Sequence, residues 1–116
     1  MINPATESDL QIRFEQHGPK SRAGVSGRID IDSSPEFRGS LLRMLQVPDC
    51  QCLEVSFCEV AYIDTSGLAV LVDVLKFARH LGKTFELSGL QERPRYLLES
   101  TGLLRFFGEA RSPCDK

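Results

Sequence analysis

The segment Asp64-Thr65-Ser66-Gly67-Leu68 puts a carboxylate and two hydroxyls where a loop runs into a helix. Asp or Thr at that place accepts hydrogen bonds from the unpaired first-turn amides, so one reading is a helix cap and nothing more. The other reading is a phosphoacceptor. A first-turn hydroxyl lies beside free N–H groups and the positive end of the helix dipole, an environment that tolerates a phosphate. A protein docked on that surface meets the same phosphate as a bulky new dianion, and Asp64 next door strengthens the repulsion. Such a switch works by electrostatics and requires little refolding.

Ser66 is a poor candidate for an enzyme nucleophile. Its surroundings lack the first Gly of G-x-S-x-G, and Ala69 stands where S-x-x-K requires Lys. The chain has 2 histidines. His80 falls about four turns further along the same helix, roughly 20 Å away at 1.5 Å per residue, and His17 falls in an apparent loop. Neither nucleotide-cradling glycine pattern, G-x-x-x-x-G-K-[ST] or G-x-G-x-x-G, occurs in the sequence. The segment reads as a recipient of chemistry, in a protein that is not an enzyme and carries no cofactor.

The other residues with chemical potential are Cys50, Cys52, Cys58 and Cys114. Their spacing, C-x-C and then a third Cys after five residues with no nearby His, departs from structural zinc sites, so no metal is expected. Cys52 and Cys58 are expected to fill space in and just after a strand, and all four to be reduced thiols in a cytoplasmic protein.

Four segments alternate apolar and polar residues at period two, the strand signal. They are Leu10–Glu15, Val25–Asp30, Cys52–Phe57 and Thr84–Ser88. Alternation implies a sheet with one face on the core and the other partly wet, hence helices mainly on one face. Three helical patterns separate the strands. The first opens at Ser33-Ser34-Pro35-Glu36 and stops before Pro48, with Phe37, Leu41, Met44 and Leu45 forming its apolar stripe. The second runs from Asp64 to Leu81-Gly82, and the third from about Glu92 to Thr101-Gly102. Strands joined through helices are expected to be parallel, giving an α/β fold with a mixed, mostly parallel sheet. Gly18–Ala23 reads as a turn, Met1–Asp9 as a loose start and Gly108–Lys116 as a tail.

On the second helix only Asp73, Lys76 and His80 make a polar arc, with Arg79 interrupting an unusually broad apolar side. Flanking helices are expected to bury most of it; its N-terminal end could instead meet a partner, and the excess apolar surface leaves room for a homodimer. At 116 residues the chain suffices for one domain, since two cores would need roughly 100 residues each. Its 14 Lys plus Arg against 16 Asp plus Glu give a net charge of −2, which argues against a nucleic-acid binder. Apolar runs fall far short of the roughly 20 residues of a membrane span. Met1–Leu10 carries neither a basic nor an apolar leader region, so a cytoplasmic location is expected.

Three motifs, taken in order, resemble the STAS domain of bacterial anti-sigma factor antagonists. Ile63-Asp64-Thr65-Ser66-Gly67-Leu68 is similar to the family's D-[ST]-[ST]-G-L element, and Val25-Ser26-Gly27-Arg28-Ile29-Asp30 to its G-x-[LI]-D strand and loop. Leu97-Leu98-Glu99-Ser100-Thr101-Gly102-Leu103 resembles its late helix ending in [ST]-G-L. The resemblance spans about residues 10–107 of a single domain. It implies partner switching: an anti-sigma factor with serine-kinase activity phosphorylates Ser66, the unphosphorylated form binds that kinase and frees the sigma factor, and a phosphatase resets the system. The family's loop aspartate corresponds to Asp30, and Asp64, Thr65, Gly67 and Leu68 to the recognition surface. Arg28 departs from the neutral or acidic residue frequent in antagonists. Thr65 with Gly67-Leu68-Ala69 also resembles stand-alone STAS subunits of lipid-transporting ABC systems, which dock on an ATPase without phosphorylation. The STAS domain of anion transporters is disfavoured because no membrane segment accompanies it.

Overall fold

The computed structural model describes residues 10–110. A hairpin opens the domain: β1 (Gln11–His17) and β2 (Lys20–Ile29) pair antiparallel across Gly18-Pro19. The chain then alternates α1 (Ser34–Leu45), β3 (Cys52–Ile63), α2 (Thr65–His80), β4 (Thr84–Ser88) and α3 (Glu92–Ser100). A 3-10 turn (Leu104–Phe106) leads into a two-residue strand β5 (Gly108–Glu109). The sheet order is β1-β2-β3-β4-β5, and every pair after the hairpin is parallel. Each crossover steps one strand further in the same direction, and α1 and α2 pack side by side on one face of the sheet, while α3 lies against the end of β3. This is the α/β fold with a mixed, mostly parallel sheet that the alternation predicted.

The core lies between that face and the helices. Ala23, Val25, Leu53, Val55, Phe57 and Leu87 face Phe37, Leu41 and Leu45 of α1 and Leu71, Val74 and Ala78 of α2, all at most 3% exposed. Phe85 meets Phe107 edge to face, with ring centroids 6.0 Å apart. Most of the broad apolar side of α2 is covered within the domain: Leu68, Val70, Leu71, Val74, Leu75 and Ala78 are buried, while Val72 and Phe77 are half-buried. Arg79 escapes burial by turning outward to the carbonyl of Phe106 (3.4 Å). Gly82 takes φ +71° at the end of α2, the left-handed conformation expected of a glycine cap. Lys83 then donates from Nζ to the carbonyls of Leu45 (2.5 Å) and Val47 (3.1 Å), completing the C-terminus of α1.

Several boundaries differ from the sequence expectation. β3 runs six residues past Phe57, because two register shifts against β2 re-aim its side chains. Core-facing positions therefore advance from Phe57 to Val60 to Ile63 in steps of three, and the period-two signal is lost. The turn at Gly18–Ala23 shrinks to Gly18-Pro19, since β2 begins at Lys20. Gly108 and Glu109, read as tail, pair with Glu86 and Leu87. Residues 111–116 of that tail, Cys114 among them, and the start Met1–Asp9 lie outside the described residues.

The second sheet face is less wet than alternation suggests. Glu54 is 1% exposed there, held by Lys20 Nζ (3.1 Å) and Arg22 Nε (3.3 Å). A buried carboxylate so paired is costly to orphan, which ties the starts of β2 and β3 together.

Candidate functional site

The ends of β2 and β3 carry the site. The Asp64 N–H donates to the carbonyl of Ile29 (3.0 Å), joining the two strand ends just before α2 begins. Asp64 itself has extended backbone angles and caps the helix through one oxygen. That Oδ1 accepts from the N–H of Ser66 (2.9 Å), the N–H of Gly67 (3.2 Å) and the hydroxyl of Ser66 (2.5 Å). Burial pushes the Asp64 carboxyl up, but the hydrogen bonds from Ser66, Gly67 and the Ile31 N–H outweigh it, and the group titrates below the ordinary carboxylate range. Ser66 is half-buried, with its oxygen at the rim of the helix, and Thr65 beside it is exposed. The hydroxyl is thus oriented by Asp64 on a residue that is itself partly exposed.

Gly67 and Leu68 take a different place. Both are buried. A Cβ on Gly67 would lie 2.5 Å from Ile29 Cγ2 and 2.7 Å from Ile63 Cγ1. Glycine is needed there so that the first turn of α2 can rest on two core isoleucines. Leu68 continues the same contact into the core. These two residues set the height of Ser66 above the sheet and lie beneath the surface that Asp64, Thr65 and Ser66 present.

Asp30 leads the loop from β2 into α1. Its Oδ1 accepts from the N–H of Asp32 (3.0 Å) and of Ser33 (3.1 Å), while its Oδ2 lies 3.6 Å from Arg28 Nε. The Ser33 amide bond first of all, then those of Asp32 and the Ser33 hydroxyl, hold its carboxyl below the ordinary range. Asp30 therefore shapes its own loop, with a quarter of its side chain exposed (26%). Ser33 stands at the N-cap position of α1 but makes no side-chain cap bond; its hydroxyl donates to the carbonyl of Arg28 (2.8 Å).

Two features of this surface escaped the sequence reading. Ile31, between two aspartates in the same loop, is 72% exposed, and its N–H bonds to Asp64. A large apolar side chain is thus presented to solvent on the loop that is tied to the cap of α2. Arg28 lies over the ring of Tyr62, its guanidinium carbon 4.1 Å from the centroid, and Arg93 approaches the same ring at 5.7 Å. No motif signals that stack; it depends on the register shift that sets Arg28 opposite Tyr62.

Elsewhere, His17 contacts Glu15 (3.3 Å) beside the hairpin turn, and His80 closes the far end of α2. Cys50 is a fully buried free thiol, and burial pushes the half-buried Cys52 thiol up to about 11, where it stays protonated at neutral pH. Cys58 departs from the reduced state expected of it: it is disulfide-bonded. Among the described residues no helix is long and apolar enough to cross a membrane.

The family described as "Mlab, STAS domain" matches residues 12–107. The chain belongs to the STAS domain family. The match takes in both strand ends, all of α2 and the late helix, so this STAS domain presents Asp30, Asp64 and Ser66 within the family's own span. Among curated proteins it is similar to the anti-sigma-B factor antagonist of Bacillus subtilis, with 28% identity over 97 residues covering 82% of this chain and 85% of that protein. The anti-sigma-B factor antagonist of Listeria monocytogenes is 35% identical over 79 residues, 68% of each chain. The structure of the Bacillus cell fate determinant SpoIIAA in its phosphorylated form superposes with a TM-score of 0.68 at 13% identity, covering 88% of this chain and 93% of that one. The STAS fold is thereby established for this chain.

Proposed function

We propose that this STAS domain is an anti-sigma factor antagonist that binds an anti-sigma serine kinase while Ser66 is unmodified and is released when Ser66 is phosphorylated. The observation that carries the proposal is the Ser66 hydroxyl, held at 2.5 Å on Asp64 Oδ1 at the open mouth of α2. Phosphorylation esterifies that oxygen, so it can no longer donate to Asp64. It also sets about −1.5 to −2 charges beside an ionised carboxylate. The positive end of the helix dipole offsets part of this repulsion within the domain, leaving the fold intact. A docked partner has no such compensation.

The docking surface comprises Asp30, Ile31, Asp64, Thr65 and Ser66, with Gly67 and Leu68 seating them from beneath. The antagonist names of the Bacillus and Listeria relatives support this reading. The domain is a substrate and a ligand of the kinase and performs no catalysis itself; a phosphatase returns it to the binding form.

Incubation with the cognate kinase and ATP is expected to add one phosphate, mapped by mass spectrometry to Ser66. Ser66→Ala should bind the kinase and stay unmodified, and Ser66→Asp should bind weakly. Phosphate found solely at another residue overturns the assignment. The lipid-transport reading makes the opposite forecast: copurification with an ABC ATPase, and indifference to Ser66→Ala.

A further inference from the structure

Strand β1 forms one edge of the sheet, and among the described residues no strand lies on its outer side. Six of its seven side chains are exposed, and it contains neither a proline nor a register shift that would blunt the edge. We propose that β1 is a homodimer interface, in which two copies pair antiparallel, edge to edge, about a two-fold axis at Phe14. This inference is independent of the role of Ser66, which lies beyond β3, two strands in from that edge.

The backbone fixes which groups are available. The two-residue turn Gly18-Pro19 makes His17 and Lys20 the closing pair, hydrogen-bonded as in two-residue hairpins. By alternation Glu15, Arg13 and Gln11 also direct their backbone groups to β2. The N–H and C=O groups of Ile12, Phe14 and Gln16 point outward. An axis at Phe14 brings these outward groups together, Phe14 on Phe14 and Ile12 on Gln16.

Charge selects the same register. With the axis at Phe14, Arg13 of each copy faces Glu15 of the other in the close, non-hydrogen-bonded pairs, giving two ion pairs on the open face of the sheet. An axis at Arg13 or at Glu15 sets like charges face to face. An axis at Ile12 or Gln16 keeps only three residues of each seven-residue strand in register. On the other face the two Phe14 rings, each 38% exposed, cover one another. The contact is isologous and closed, joining two five-stranded sheets into one.

Sedimentation velocity of the full chain over a rising concentration series is expected to show monomer passing to dimer. R13E and E15R should each weaken the dimer at least about tenfold, because each replaces two opposite-charge pairs with like-charge pairs. Mixing R13E with E15R should restore a heterodimer, since each then faces only the other's charge. Phe14→Pro removes an outward N–H and spares the ladder to β2, so it should give a folded monomer. Circular dichroism and a thermal melt establish folding for each variant. A wild type that stays monomeric at millimolar concentration overturns the proposal. So does a dimer indifferent to R13E and Phe14→Pro, or folded single variants that fail to associate on mixing.

Discussion

One oxygen of Asp64 organises the candidate site, taking two amides and the Ser66 hydroxyl together. Asp64→Ala should cost about 0.5–2 kcal/mol, the usual loss for a helix cap, read as a lower urea midpoint. The pH dependence has a definite sign. The Asp64 and Asp30 carboxyls both titrate below their unfolded values, so their stabilisation is present above those values and is lost as pH falls through the folded ones. Urea midpoints are expected to hold from neutral pH to about pH 4 and then decline. Asp64→Asn should flatten part of that decline; an unchanged profile would show that the cap bonds do not favour the ionised form. Asp30→Ala should also lose stability, about 1 kcal/mol, because its carboxylate ties down the loop before α1. At this scale the sequence was readable for Asp64 and Ser66, whose types name a cap and a hydroxyl. Ile31 was not, because a lone exposed apolar residue has no pattern of its own.

Helix α2 is the element that sets the geometry, and its ends were legible: Asp64 before the apolar run and Gly82 after it. The function of Gly67 was not. A glycine in a first turn suggests a turn or a close approach from outside, whereas here it makes way for Ile29 and Ile63, side chains brought together only by the pairing of β2 with β3. Gly67→Ala should therefore cost about 1–3 kcal/mol as overpacking, and should lift the first turn of α2 off the sheet. Hydrogen exchange at the Ser66 and Leu68 amides would detect that displacement; unchanged protection and stability would contradict it. Leu71→Ala, in the middle of the same helix and fully buried, should cost about 2–5 kcal/mol through a cavity, without altering the surface around Ser66. The strands explain most of the misread boundaries. β3 loses its period-two pattern at the register shifts, and β2 begins with Lys20-Ser21-Arg22-Ala23-Gly24, whose small core-facing residues carry almost no hydrophobic signal. A two-residue strand such as β5 lies below any periodicity.

Over the whole molecule, composition and alternation sufficed for one α/β domain with helices on one face, because those features follow from burial and chain direction alone. What they could not supply was proximity: Ile31 against Asp64, or Arg28 against Tyr62, arises only when the strand ends come together. The resulting surface gathers Asp30, Asp32 and Asp64 around one apolar side chain on a chain with net charge −2. In the proposed switch, a partner that fits it brings positive charge, and a phosphate at Ser66 acts on that contact chiefly through repulsion and bulk near Asp64. Isothermal titration of the cognate anti-sigma kinase with the unmodified protein, and with the protein phosphorylated at Ser66, tests this most directly. Binding should weaken at least about tenfold on phosphorylation, equivalent to about 1.4 kcal/mol, and the difference should narrow as salt is raised. Equal affinities for the two forms at low salt would contradict control of docking by Ser66.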